Sequence, residues 1–197
     1  MKRGASEKYV LDNEQVNELL GAAESPEDRL IIELMVILGL RVSEVAHLNA
    51  DWLKEEEIRI PRSQPCGCSN CRGEWHSKSE ASARSIPIPE TMIRTLHTFL
   101  RESPEGFHLT RQALWQKIKG IAKKAKIKAK GLSKDTIYPH VLRATAASRL
   151  ATAGMSAPAL CYIMGWSSIE MGQHYISIAQ AKVEAHRQLK QILHSFR

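Results

Sequence analysis

Apolar positions recur at helical spacing over most of the chain and at strand spacing in one short region. Leu30, Ile31, Leu34, Met35 and Leu38 share one broad helix face, opened by Ser25-Pro26-Glu27-Asp28 and ended by Gly39. That opening joins a capping hydroxyl, a proline whose missing N–H costs nothing in the first turn, and two acids at the positive end of the helix dipole. Upstream, Asp12 and Gln15 have the spacing of a capping box. Val42 to Leu48 reads as a further short helix. Around Ile58-Arg59-Ile60 the period falls to two, and Arg84-Ser85-Ile86-Pro87-Ile88 repeats it, so two strands are predicted with a loop between them. Pro89 opens a helix to about Arg101. Thr110 caps an amphipathic helix with Ala113, Leu114, Ile118, Ile121 and Ala122 on one face. Pro139 starts a helix that Gly154 stops, and Ser156 to Met164 forms a short one closed by Gly165. A last helix is predicted from about Ile178 to Leu193, with an apolar stripe of Ile178, Ala181, Ala185, Leu189 and Ile192. The pattern predicts a mainly α fold with a small antiparallel β-sheet.

Composition narrows this further. A chain of 197 residues, 43% hydrophobic, is enough for one domain with a sizeable core and excludes a disordered chain. No apolar run reaches the ~18 residues that a membrane helix needs. The basic start, Met1 to Lys8, leads into no apolar stretch, so no secretory signal is visible. Three of the four cysteines crowd into Cys66 to Cys71, which fits a metal site in a reducing compartment better than a disulfide framework. A cytoplasmic protein with no membrane partner is expected.

The net charge of +7 is unevenly spread. Thr110 to Lys134 holds nine Lys/Arg and no acid, whereas Leu11 to Ile60 holds twelve acids and four Lys/Arg. A one-signed stretch is a candidate phosphate-binding face, because each phosphate it neutralises releases counterions. Its candidates are Arg111, Lys117, Lys119, Lys123, Lys124 and Lys126. The plain alternative is a solvated basic helix with no partner.

A second set of residues carries candidate chemistry. Arg41 follows a helix and its terminating Gly39, where two helices meet, and Glu44 lies three residues on, placed to hold its guanidinium. His140 and Arg143 are also three apart, at a helix start whose dipole favours an anion. Lys78 lies between the predicted strands, where a lysine is ordinarily solvated. Tyr175 follows Gly165-Trp166-Ser167-Ser168 by a helical stretch, and on composition alone Tyr138 and Tyr162 compete with it.

Taken together, these segments resemble the catalytic domain of the tyrosine recombinases, the phage-integrase, Xer and Cre group. The resemblance rests on Gly39-Leu40-Arg41-Val42-Ser43-Glu44-Val45, on Ser77-Lys78-Ser79 running into Arg84-Ser85-Ile86-Pro87-Ile88, on Pro139-His140-Val141-Leu142-Arg143, and on Met164-Gly165-Trp166-Ser167-Ser168-Ile169 ending at Tyr175. The segments occur in the family order and span most of the chain. The resemblance implies a site-specific recombinase or integrase that cleaves and rejoins double-stranded DNA through a 3′-phosphotyrosyl bond on Tyr175. Arg41 and Arg143 would clamp the phosphate, Lys78 would protonate the leaving 5′-oxygen, and His140 would assist proton transfer at the tyrosine. Trp166 stands where many members carry His, and Glu44 would orient the arginines. No cofactor is implied for catalysis. A homo-oligomer on DNA, a tetrameric synapse, is implied, with the last helix docking on a neighbouring protomer. The whole chain, 1–197, reads as one catalytic domain, without the N-terminal helical domain with which members clasp DNA. Two other readings stay open: a non-catalytic DNA-binding protein, either a degenerate recombinase or a helix-turn-helix regulator, since Leu142 to Met164 has helix–glycine–helix character, and a type IB topoisomerase.

Within residues 64–77, Cys66, Cys68, Cys71 and His76 give C-x-C-x2-C-x4-H. Three thiolates and an imidazole suit a tetrahedral structural zinc that would stiffen the loop carrying Lys78. A reduced, metal-free loop is the alternative. Cys161, on an apolar helix, is expected to be a buried thiol.

Overall fold

The computed structural model describes residues 9–127 and 137–195. Three helices lead: α1 (Asn13–Gly21), α2 (Pro26–Val36) and α3 (Val42–His47). Five short strands follow: β1 (Leu53–Lys54), β2 (Glu57–Ile60), β3 (Ser63–Cys66), β4 (Gly73–His76) and β5 (Arg84–Pro87). The chain ends in α4 (Glu90–Glu102), α5 (Arg111–Lys124), α6 (Pro139–Thr152), α7 (Ala157–Met164) and α8 (Ile169–Ser195). Among the described residues no helix is long and apolar enough to cross a membrane.

The helix starts lie where the capping chemistry puts them. Asp12 and Gln15 close a reciprocal capping box on α1, and Ser25, Thr110 and Ser156 each accept a backbone N–H of the turn they cap. Gly39, at φ +66°, turns the chain out of α2, and the N–H of Leu40 bonds back to the carbonyl of Leu34 at 3.0 Å. A side chain at Gly39 would also meet the Met164 sulfur at 2.8 Å, so α7 closes directly on this turn.

β1, β2 and β5 form one antiparallel sheet in that order, with Ile58 opposite Ile86 and Ile60 opposite Arg84. The expected loop between the strands is not a loop. It contains a second antiparallel pair, β3 with β4, which places Gln64 opposite Trp75 and Cys66 opposite Gly73. Alternation missed this hairpin because β3 offers no apolar face: its residues are Ser, Gln, Pro and Cys.

The main core joins α1 to α5 and the three-stranded sheet, and includes Leu34, Leu40, Trp52, Ile58, Leu96 and Leu114. A smaller core joins α6, α7 and α8 through Ala144, Ala147, Leu160, Met164, Tyr175 and Ala179. The last helix begins at Ile169 rather than Ile178, so Tyr175 lies on it. Gly172 does not interrupt it. A Cβ there would sit 2.6 Å from the Ala157 carbonyl oxygen and 2.7 Å from the Cys161 sulfur, so the glycine marks close packing of α8 on α7. Cys161 is buried, as expected, and its thiol donates to the Ser168 carbonyl.

Candidate active site and basic face

Glu44 is the anchor of the candidate site. It lies in the first turn of α3, only 1% exposed. One carboxylate oxygen accepts from Arg41 Nη1 at 2.6 Å and from Arg84 Nη1 at 3.0 Å. The other accepts from the Arg41 backbone N–H at 2.8 Å and from Arg84 Nη2 at 3.1 Å. Burial alone would raise its pKa, but the charges of Arg84, Arg143 and Arg41 and the Arg84 hydrogen bond outweigh burial and hold it at about 2. Glu44 is therefore an anion at neutral pH, held between two guanidinium groups. Arg84 received no role from the sequence. Its position two residues before buried Ile86 on the same strand face was the available sign that it points inward.

The arginines converge on α7. Arg41 Nη2 donates to the Gly165 carbonyl at 2.6 Å, and Arg84 Nε donates to the Ile163 carbonyl at 2.6 Å. Arg143, in the second turn of α6, donates to the carbonyls of Gly39 and Met164. Gly165 has φ +58°, and a Cβ there would press within 3.1 Å of both Arg41 Nη1 and Arg84 Nη1. The glycine thus ends α7 and makes room for the guanidinium groups. Burial, and then repulsion from Arg41, lowers the pKa of Arg143 to about 9.

Tyr175 is 5% exposed and packs in the α6–α7–α8 core, where its ring stacks on Trp166 with centroids 5.3 Å apart. It is close enough to Arg143 to act on that residue's charge. The competing tyrosines are engaged elsewhere: the Tyr162 hydroxyl accepts from the Ser85 N–H, and the Tyr138 ring stacks on Trp115.

Lys78 is exposed on a bend just after β4. Its neighbours hold that bend in place. Ser77 is buried, its N–H donates to the Arg62 carbonyl, and Arg62 Nη1 donates back to the Ser77 carbonyl and hydroxyl. His140 stands on the first turn of α6. Burial, then the charges of Arg143, Lys78 and Arg111, lower its pKa, so the ring is neutral at pH 7. These charges come from the bend after β4, from α5 and from α6 itself. The helix–glycine–helix stretch noted in the sequence contributes its buried face to Tyr175 rather than leaving it free.

The basic candidates on α5 divide. Lys117 Nζ pairs with Asp28 at 2.5 Å and Lys124 Nζ with Glu24 at 2.6 Å, so both face the acidic start of the chain. Arg111, Lys123 and Lys126 are exposed, and Lys119 is half-buried. Lys128, Lys130 and Lys134 of the same basic run lie outside the described residues.

Cys66, Cys68 and Cys71 come together as expected, but with His47 rather than His76; the four ligand atoms lie within 4.8 Å of one another. The pleat explains the exchange. Trp75 is buried and stacks on His47, so the next residue on β4, His76, points the other way and pairs with Glu74 at 3.2 Å. His47 lies 19 residues before Cys66, and no local spacing could have joined them.

The description of the phage integrase family matches residues 9–182. Tyrosine recombinase XerD of Staphylococcus aureus is 26% identical over 201 residues, covering 90% of this chain and 61% of that protein. The chain thus spans about three fifths of the length of this relative. Among solved structures, the catalytic domain of bacteriophage HP1 integrase superposes with a TM-score of 0.62 at 19% identity, covering 91% of this chain and 94% of that one. The Tn1549 transposon integrase in complex with transposon right end DNA superposes with a TM-score of 0.68 at 22% identity, covering 91% of this chain and 66% of that one. These structural likenesses carry the fold.

Proposed function

The chain belongs to the phage integrase family of tyrosine recombinases, and from that premise we propose that it is a catalytic domain that cleaves and rejoins duplex DNA at a specific site. The observation that supports this most directly is the convergence of Arg41 and Arg143 on the carbonyls that end α7, with Tyr175 close enough to Arg143 to act on its charge. The Tyr175 oxygen attacks the phosphorus, a phosphotyrosyl bond forms at the 3′ side, and the bond to the 5′-oxygen breaks. Lys78 supplies the proton that makes the leaving group a 5′-hydroxyl. Neutral His140 takes up the phenol's proton, directly or through water. A phenol has a pKa of ~10, so its ionisation needs the positive field that the arginines maintain. Each guanidinium has five N–H donors, and bonding to the protein leaves capacity for phosphate oxygens. The Trp166 indole N–H is a further donor to the phosphate but cannot act as a base. Rejoining reverses the same steps. The energy of the broken bond is kept in the phosphotyrosine, so catalysis needs no nucleotide and no metal.

The substrate of this reading is double-stranded DNA in the cytoplasm, gripped in part by Arg111, Lys119, Lys123 and Lys126. A homo-oligomer on DNA belongs to the same proposal. The side chains of Ala181, Ala185, Leu189 and Ile192 are exposed on the distal part of α8, which suits docking on a neighbouring copy. A duplex nicked just beyond the cleavage site tests the chemistry, because loss of the short product traps the covalent complex. The expected result is an adduct mapped by mass spectrometry to Tyr175. An adduct on Tyr162 or Tyr138, or none on any duplex, overturns it.

A further inference from the structure

We propose that His47, Cys66, Cys68 and Cys71 bind one tetrahedral zinc ion, which ties the tip of the β3–β4 hairpin to the end of α3. The three sulfurs and the His47 nitrogen lie within 4.8 Å of one another. His47 Nε2 is 3.2 Å from the Cys71 sulfur and 3.7 Å from the Cys68 sulfur. Zinc bonds of ~2.3 Å to sulfur and ~2.0 Å to nitrogen, at tetrahedral angles, put sulfur and nitrogen about 3.5 Å apart. The observed pair brackets that separation. Hydrogen bonding explains the cluster less well, because one imidazole lone pair accepts one S–H and here two thiols approach it.

The surroundings are those of a metal site. His47 Nδ1 lies 2.7 Å from the Ser43 carbonyl oxygen, which fixes its proton there and turns the Nε2 lone pair to the thiols. The Cys68 N–H points at the Cys66 sulfur at 3.5 Å, a contact that stabilises a thiolate. Trp75 stacks on the imidazole and closes one side against water. Soft thiolates with one imidazole select zinc over the hard cations that prefer carboxylates.

The ion would join two segments that lead to the candidate active site. His47 is one turn beyond Glu44 on α3, and β4 ends two residues before Lys78. Gln64 already pins β3 to this helix end, accepting from Trp52 Nε1 at 2.5 Å and donating to the His47 carbonyl at 2.9 Å. Zinc would hold the opposite end of the hairpin, its tip, to the same place. The positioning of Lys78 by this clamp rests on the function proposed above; the metal site itself does not.

The test is metal content of the full chain purified under reducing conditions, with Co(II) as a spectroscopic probe. About one equivalent of zinc is expected, falling below about a tenth in His47→Ala and Cys68→Ser and unchanged in His76→Ala. Co(II) bound to the wild-type chain should give intense visible bands of a tetrahedral ion with sulfur-to-cobalt charge transfer, a readout that needs no folded variant and no DNA. Zinc-free reduced protein, a pale octahedral cobalt spectrum, or loss of metal in His76→Ala with retention in His47→Ala would each overturn the site.

Discussion

Arg41, Arg84 and Arg143 are folded into the body and held by Glu44 and by the carbonyls of Gly39, Ile163, Met164 and Gly165, whereas Arg111, Lys123 and Lys126 stand exposed on and beside α5. The two sets of positive charge suit different tasks. A planar guanidinium fixed in a dry pocket keeps its direction and acts on charge as it develops in a reaction. A flexible, hydrated ammonium on a surface adds attraction to a polyanion and is screened by salt. Between them lie Lys117 and Lys124, whose carboxylate partners turn them toward the protein itself. All these cations carry the same sign; burial and partners separate them.

The largest effect is expected where the arginine set meets Tyr175, the proposed nucleophile. Tyr175→Phe removes the hydroxyl but leaves the ring stacked on Trp166, so covalent adduct should be undetectable while duplex affinity stays within about twofold of wild type. Tyr162→Phe should still cleave. Measuring both on the nicked duplex breaks the comparison if Tyr175→Phe loses binding along with cleavage.

Glu44→Gln comes next, because it leaves buried Arg84 and half-buried Arg41 short of their counter-charge. Breaking one partner of a buried ion pair costs about 3–5 kcal/mol, to be read from denaturant unfolding. The same anion gives a pH dependence. Its pKa is depressed from 4.5 to about 2, so its stabilisation is fully present above pH 4.5 and is lost as the pH falls through about 2. Glu44→Gln should therefore flatten the acid limb of a stability–pH curve. An unchanged limb would show that Glu44 is not the group that holds the arginines.

Arg143→Lys keeps the charge but loses the fork that reaches two carbonyls. Cleavage at saturating DNA should fall by about 10²–10³, the scale for removing one donor to a developing anion, with little change in affinity. A matching fall in affinity would mean that the buried set also grips DNA in the ground state. The smallest effect belongs to the exposed set. Lys123→Gln with Lys126→Gln should lower the slope of log affinity against log salt by about 0.9 for each phosphate contact removed. Lys117→Gln with Lys124→Gln should change it less, since those lysines face Asp28 and Glu24. Equal slopes for the two pairs would erase the distinction.

The sequence by itself determined what depends on near neighbours. Asp12, Ser25, Thr110 and Ser156 fixed helix starts because a cap satisfies N–H groups two or three residues on. Gly39, Gly154 and Gly165 marked the stops, and each has the positive φ that turns a chain out of a helix. The order of Arg41, Lys78, His140, Arg143 and Tyr175 was likewise legible, and with it the family and the mainly α fold. Only the tertiary structure decided which distant groups meet. Glu44 joins Arg84 across 40 residues and Arg143 reaches Gly39 across 104. His47 replaces His76 beside the cysteines, and α8 runs through Tyr175 because Gly172 packs on α7. Local pattern reports energies between residues a turn or a strand pair apart. A partner many residues away is chosen by how whole elements pack, and by the cost of burying a charge that finds no counter-charge.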